Sequence, residues 1–381
     1  MHYLPRQFRR SILAGLIALA GAGAAPAVAA ASSTNAGYVY VNDNTAGQNT
    51  IAAFARQADG TLTPLAGSPF IAGGAGAGTG LASQGAVQVS SDGRYVIAVD
   101  AGSNQISVLR IGRHGGLMLV SVVSSEGVKP VSVAEHDGLV YVANTGAGGS
   151  NYTGYTLTDG GGLRPLADST VSLPDTAQPG DVLFNSTGTN LVGTRVGSSQ
   201  VDSFSVGSDG RLTAAPDSPF AAQAAGPFGS EFRPTDPSQL FVSNAHAGAG
   251  NGSVSAFSVA GDGTLSSIGP SPFADNQTAP CWVEITHDGQ FLLTVNTASG
   301  SISRYSIAAN GTLTLLGSTA VSNQAGVGAV DPRLSADGQT LYVDESRIAA
   351  VGEFTVNGGQ LTELGSVSLP AGATPGGVAV K

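Results

Sequence analysis

Seven times the chain runs a short polar turn that ends in Gly, one residue and Leu, or a close variant of it. The copies end at Leu62, Leu117, Leu163, Leu212, Leu265, Leu313 and Leu361, 46 to 55 residues apart. A unit of that length is one supersecondary element that cannot bury its own faces, so the copies must stack. The fifth copy runs Gln239–Asn244, Gly252–Val259 and Asp262–Leu265; the sixth runs Gln290–Asn296, Gly300–Ile307 and Asn310–Leu313. These are strand-length runs rich in Val, Ile, Phe and Tyr, punctuated by Gly, Asn and Asp. Four short antiparallel strands per unit, seven times over, predict an all-β, seven-bladed β-propeller.

The composition agrees with buried blades joined by tight turns. There are 55 Gly in 381 residues, charged residues make up 11% and hydrophobic ones 41%. Glycine supplies the positive φ that many turns need. The length alone suggests two domains, but the repeat points to one closed ring. Its first blade starts at Gly37–Asn42, which has the form of a second strand. The C-terminus, Thr374–Lys381, has the form of a first strand, like Pro130–Ala134, Pro179–Leu183 and Pro280–Glu284. The last strand is therefore expected to complete the first blade beside Val39 and so to remove the open edges. The Gly-rich run 73–80 reads as a flexible connector between the first two blades. It lacks the spacing and the following helix of a phosphate-binding loop.

Residues 1–29 read as a secretory signal peptide: basic Arg6, Arg9 and Arg10, an apolar stretch from Ser11 to Val28, and small residues at Ala27-Val28-Ala29. Residues 30–36 then form a linker and 37–381 the propeller, a secreted, extracellular protein with no membrane span after cleavage. Loss of three arginines moves the formal charge from −10 to −13. That surface disfavours nucleic acid and anionic membranes as partners. Cys281 is the lone cysteine, so no intramolecular disulfide can form. A monomer is expected. No metal-ligand motif, cofactor motif or Gly-x-Ser-x-Gly elbow is present, although carboxylates from several blades could still meet a cation in the channel.

The repeats resemble the seven-bladed lactonase-like propeller family, which includes 6-phosphogluconolactonase and the carboxymuconate-cyclising enzyme. Strands such as Tyr141-Val-Ala-Asn144 also resemble Tyr-Val-Thr-Asn propeller repeats. The resemblance implies a hydrolase that opens a small sugar-acid or aromatic-acid lactone near the central channel. It also implies an Arg- and His-bearing segment after Pro in a middle blade, a His after Pro in the preceding blade, and a Glu beyond a strand-end Asn. This chain has Phe228 and Gly229, Asp181 and Ala245 at those places. Either the activity is lost or another constellation has replaced it.

Candidates for such a constellation are few. His246 follows strand-end Asn244 and opens a Gly-rich loop, where it can act as base or ligand, or stand as a solvated loop residue. Glu345 is the second catalytic candidate, since a Glu of the family stands at a comparable strand end. Arg195 interrupts a series of Asn and Asp at second-strand ends (Asn42, Asp100, Asn144, Asn244, Asn296 and Asp344) and is the candidate anion contact. Aligning the inner strands on their prolines puts Glu231, Glu284 and Arg333 in one slot, as an inter-blade ion network or a catalytic cluster. The same alignment puts Asp181, Trp282 and Asp331 two residues nearer the mouth, as candidate ligand contacts. Trp282 offers either a stacking platform or core packing. His114, His136 and His287 stand in turns. Two function classes remain: a diverged lactonase, or a non-catalytic propeller that binds a sugar-like ligand, glycan, cell-surface component or partner protein at the channel mouth. Convergence of His246, Arg195, Glu345 and Trp282 on one pocket would favour the enzyme; scatter would favour binding.

Overall fold

The computed structural model describes residues 35–322 and 326–381. The expected signal peptide and most of the linker fall on residues 1–34 and lie outside the described residues. Seven antiparallel sheets follow one another along the chain. The second, sixth and seventh blades are plain four-stranded meanders, of which Pro280–Ile285, Phe291–Asn296, Ser301–Ile307 and Leu313–Ala320 is the clearest. In the other four the outer strand is broken into two short pieces, as in Leu62–Pro64 and Phe70–Ile71 of the first blade.

The alternation of each strand puts successive side chains into opposite gaps between blades. Val39 and Val41 pack with Tyr342 and Val351 of the seventh blade. Tyr40, between them in sequence, packs with Val87, Val96 and Leu109 of the second. Seven separate apolar clusters fill the seven gaps in this way. The repeated turn serves the same gaps. Leu62, Leu117, Leu163, Leu265, Leu313 and Leu361 are buried. A second-strand tyrosine reaches the turn of the next blade: Tyr40 Oη donates to Gly115 O at 3.0 Å, Tyr141 Oη to Gly210 O at 2.9 Å and Tyr342 Oη to Gly60 O at 2.8 Å. Burial raises the Tyr141 and Tyr342 hydroxyls to about 12, so they stay protonated and remain donors.

The ring closes as the sequence predicts. Gly377–Val380 is the inner strand of the first blade, with Val39 opposite Val380 and Asn42 opposite Gly377. Tyr38 and Lys381 exchange two backbone hydrogen bonds of 2.8 Å beyond the ladder.

Residues 73–80 are not the flexible connector expected. The segment is strapped to the loop of the first blade: Gly76 N donates to Thr45 O, Gly78 N to Asn44 O, and Ala77 N to Asn44 Oδ1 at 2.7 Å. The approach is so close that a Cβ on Gly76 would collide with the Asn44–Thr45 backbone, which is why glycine stands there. Removal of residues 377–381 should lower the free energy of unfolding by more than about 3 kcal/mol, from the burial of Val378 and Ala379 and the lost ladder. Urea denaturation of the truncated and full chains measures this.

Candidate functional site

The channel is stopped by its own chain. After the strap, Ser83, Gln84 and Gly85 cross the axis and bond to inner strands of five other blades. Ser83 Oγ donates to Val131 O at 2.7 Å and Gly85 O accepts from Val133 N, both in the third blade. Gln84 N donates to Gly180 O of the fourth at 2.9 Å. The Gln84 carboxamide spans the fifth and sixth: Nε2 donates to Ser230 O at 3.0 Å, and Oε1 accepts from Val283 N at 3.0 Å. Gly85 N donates to Asp331 Oδ2 of the seventh at 3.1 Å. The regular inner strand of the second blade is thereby shortened to Val87–Val89.

This plug accounts for one departure from the family pattern. A Cβ on Gly229 would run into Gln84 Oε1, so any larger side chain there would expel the glutamine. Phe228 beside it packs edge-on against Trp282, with ring centroids 5.0 Å apart.

One of the two inner-strand slots lies in register as aligned. Glu231, Glu284 and Arg333 stand opposite Phe241, Leu293 and Tyr342, equivalent ladder positions in the fifth, sixth and seventh blades. Arg333 Nη1 meets Glu284 Oε2 at 3.2 Å, and Glu284 Oε1 accepts from Leu334 N. Nearer the plug, Asp181 accepts from Ser230 N at 2.9 Å and from the hydroxyls of Ser230 and Ser132 at 2.6 and 3.3 Å. Four carboxylates thus surround one guanidinium. Burial works against the charge of Arg333, but Glu284, Asp331, Glu231 and Asp181 together hold it cationic. Burial pushes Asp181 up to about 6, against its hydroxyl donors, and Asp331 up to about 7, against Arg333 and the Gly85 amide. Glu231 is raised by burial first and then by Glu284. One Asp331 oxygen and one Glu231 oxygen have no hydrogen-bond partner.

The mouth face carries two adjoining depressions, which share Leu81 and Ala82, the two residues between the strap and Ser83. The larger, about 350 Å³, is lined by Leu81, Ala82, Lys129, Thr145, Gln178, Pro179, Val196, Phe228 and His246. Its floor is apolar and its rim carries an ammonium, an imidazole, an amide and a hydroxyl. The smaller, about 180 Å³, includes Trp282 in its lining. His246 is exposed and its backbone N donates to Ala225 O. Lys129 is one of two lysines in the chain. It is held at φ +56° with its N–H on Asn104 Oδ1 and has no ion pair among the described residues.

The sequence candidates therefore separate. His246 and Trp282 line different depressions. Trp282 is 5% exposed and its Nε1 donates to Ser83 O at 2.8 Å, so most of the ring packs. Asp181 and Asp331 are buried in the channel against the plug. Arg195 is bound bidentately by Asp202, Nε and Nη2 each at 2.6 Å, which occupies its fork. Glu345 is buried beside Gly352 within the seventh blade, with its carboxyl pushed up to about 7 by burial and by Glu363. Glu345, not Asp344, is the register equivalent of Asn296: each stands opposite the first residue of its inner strand. Sequence reasoning missed Lys129 and Gln84. Lysine scarcity was a readable signal for the first; nothing local signals the second.

Two outcomes test this geometry. Gln84→Ala orphans Ser230 O and Val283 N and should cost about 2–4 kcal/mol, read by urea denaturation. The channel acids bind protons in the folded state at pH values where the unfolded chain has released them. Their contribution is therefore fully present below about pH 4 and is lost as pH rises through about 6 to 7. The melting temperature should fall between about pH 4 and 7, and Asp331→Asn should flatten that slope, in a thermal-melt series.

The chain matches the family described as "Lactonase, 7-bladed beta-propeller" over residues 29–172 and 189–375. Among solved structures, it is similar to a protein of Bacteroides uniformis assigned as a 6-phosphogluconolactonase, at 20% identity and TM-score 0.73, over 91% of this chain and 100% of that one. It is similar also to the periplasmic gluconolactonase of Pseudomonas aeruginosa, at 17% identity and TM-score 0.69, over 90% and 98%. At these identities the structures speak for the fold. No curated protein matches the chain. Among the described residues no helix is long and apolar enough to cross a membrane. With seven four-stranded blades, a ring closed by its last strand and a family match over most of its length, the chain belongs to the family described as "Lactonase, 7-bladed beta-propeller".

Proposed function

We propose that the larger mouth depression binds a small sugar-acid or aromatic-acid lactone and opens it by hydrolysis. The observation that carries this reading is the meeting, across an apolar floor, of His246 and Lys129, which has no ion pair among the described residues. Pockets of a few hundred Å³ with a few convergent polar groups suit small ligands. In the reaction, His246 takes a proton from water as the oxygen adds to the lactone carbonyl. The carbonyl oxygen gains negative charge, which Lys129 stabilises. The ring C–O bond then breaks, and the leaving alkoxide takes the proton back from His246 to give a hydroxy acid. The arginine, histidine and glutamate positions implied by the family resemblance are not used.

The likeness to a periplasmic gluconolactonase and the basic and apolar N-terminal sequence support the same substrate class and an exported protein. The second reading is a binding propeller for a glycan or partner protein. It is favoured by one observation: His246, Arg195, Glu345 and Trp282 do not converge on a single pocket.

His246→Ala should reduce kcat for glucono-δ-lactone at least ~100-fold, the range of a lost general base. Its melting temperature should stay within a degree or so, because the side chain is exposed. Lys129→Ala should lower kcat/KM without unfolding the protein. Turnover above the spontaneous rate, measured by acid release with each variant alongside, decides between enzyme and binder; no turnover by the wild type supports the binder.

A further inference from the structure

The smaller depression differs in chemistry from its neighbour. It is lined by Gly80, Leu81, Ala82, Ser83, Trp282, Val330, Ser346, Pro375 and Gly376. Its polar side chains are already engaged. Ser83 Oγ donates to Val131 O at 2.7 Å, Ser346 Oγ donates to Gly328 O at 2.9 Å, and Trp282 Nε1 donates to Ser83 O at 2.8 Å. What remains for a ligand is the edge of Trp282, Leu81, Val330 and the ring of Pro375. A polar ligand group placed there would give up its water and gain no side-chain partner, at a cost of about 1–3 kcal/mol. An apolar group loses nothing and removes apolar surface from water.

Size narrows the occupant. The volume of about 180 Å³ compares with about 150 Å³ for an apolar cavity that accepts benzene. Position narrows it further. Leu81 and Ala82 line both depressions, so one molecule can lie over them with a part in each. The Phe228–Trp282 pair makes the wall continuous, with Phe228 on the larger side and Trp282 on the smaller. The far wall, Pro375 and Gly376, belongs to the segment that closes the ring. It is held by Gly376 N on Asn42 O and Thr374 N on Asp43 O, so the depression is preformed.

We infer that the smaller depression is an apolar subsite, and that the ligand of this protein is a lactone carrying a benzene-sized apolar substituent. The polar lactone ring lies beside Lys129 and His246, and the substituent lies against Trp282, Val330 and Pro375. The inference rests on the assignment of the larger depression as the lactone site and adds the substituent. The subsite sets preference among lactones. A bare sugar lactone fills only the larger depression and leaves the smaller one wet.

Trp282 is the single tryptophan of the chain, so intrinsic fluorescence reports on this subsite directly. The full chain is titrated with phenyl-substituted δ-valerolactone, unsubstituted δ-valerolactone and glucono-δ-lactone, and hydrolysis of each is followed separately. The phenyl compound should shift or quench the Trp282 emission and bind at least ~10-fold more tightly than δ-valerolactone. Val330→Phe, which fills the subsite, should remove that advantage of the phenyl compound over δ-valerolactone; Ser346→Leu is a second filling variant should the first not fold. A Trp282 response to the phenyl compound alone, without turnover, upholds the subsite and overturns hydrolysis. Turnover of all three with equal kcat/KM, and no loss on filling, overturns the subsite and leaves the lactonase reading standing. Absence of any Trp282 response to the phenyl compound overturns the inference.

Discussion

Four residue pairs, from Val39 opposite Val380 to Asn42 opposite Gly377, hold the first and last parts of the chain together. Everything else in the molecule depends on that pairing. Every blade buries both faces against its neighbours, and no disulfide or metal motif substitutes for that burial. Were the last strand absent, the first blade would present an open inner edge to the channel, and Val39 and Val41 would lose Val378 from their cluster. The same segment pins Pro375 and Gly376 at the mouth, so closing the ring and shaping the mouth are one event.

The plug follows from the same geometry. A seven-bladed ring leaves an axial hollow that side chains of the inner strands do not fill, and its lining amides and carbonyls need partners. Ser83, Gln84 and Gly85 supply them by touching five other blades. The consequence for function is spatial. Asp181 and Asp331 sit behind the plug, and a ligand from the mouth meets Leu81 and Ala82 first. Beyond them it reaches loop residues that line the larger depression, His246 and Lys129 among them.

The architecture was legible because its cause is periodic. The turn leucines recur because each is buried in a gap between blades, and the strand-end asparagines recur because each bonds at an equivalent corner: Asn244 to the hydroxyls of Ser253 and Ser255, Asn296 to those of Ser301 and Ser303. Arg195 occupies that corner with Asp202 in place of the serines, so the break in the series reflects a changed partner across the strand. Alignment by proline recovered the slots of Glu231, Glu284 and Arg333. The plug and the two depressions were not legible. They arise where residues 80–85, 129, 246 and 375 meet, and no local pattern carries contacts of that sequence separation. The Gly-rich strap illustrates the limit. Glycine signals either freedom or close approach, and only the neighbouring loop at Asn44 and Thr45 decides which.

The electrostatics of the channel argue for the same division of labour. Asp181, Glu231, Glu284 and Asp331 face a single guanidinium, and full ionisation of all four would leave a large uncompensated charge in a desolvated space. The upward shifts of Asp181, Glu231 and Asp331 show how the protein avoids this: carboxyls there hold protons as the pH approaches neutrality. Neutral carboxyls bridged by Ser132, Ser230 and the Gly85 amide bind the blades to one another and to the plug as hydrogen-bonding groups. Their perturbed acidity is thus explained by structure alone, without a substrate. Perturbed groups often mark an active site, but here the perturbation lies where the plug excludes a ligand. The groups that meet the solvent at the mouth, His246 and Lys129, are those with the access that catalysis or recognition requires.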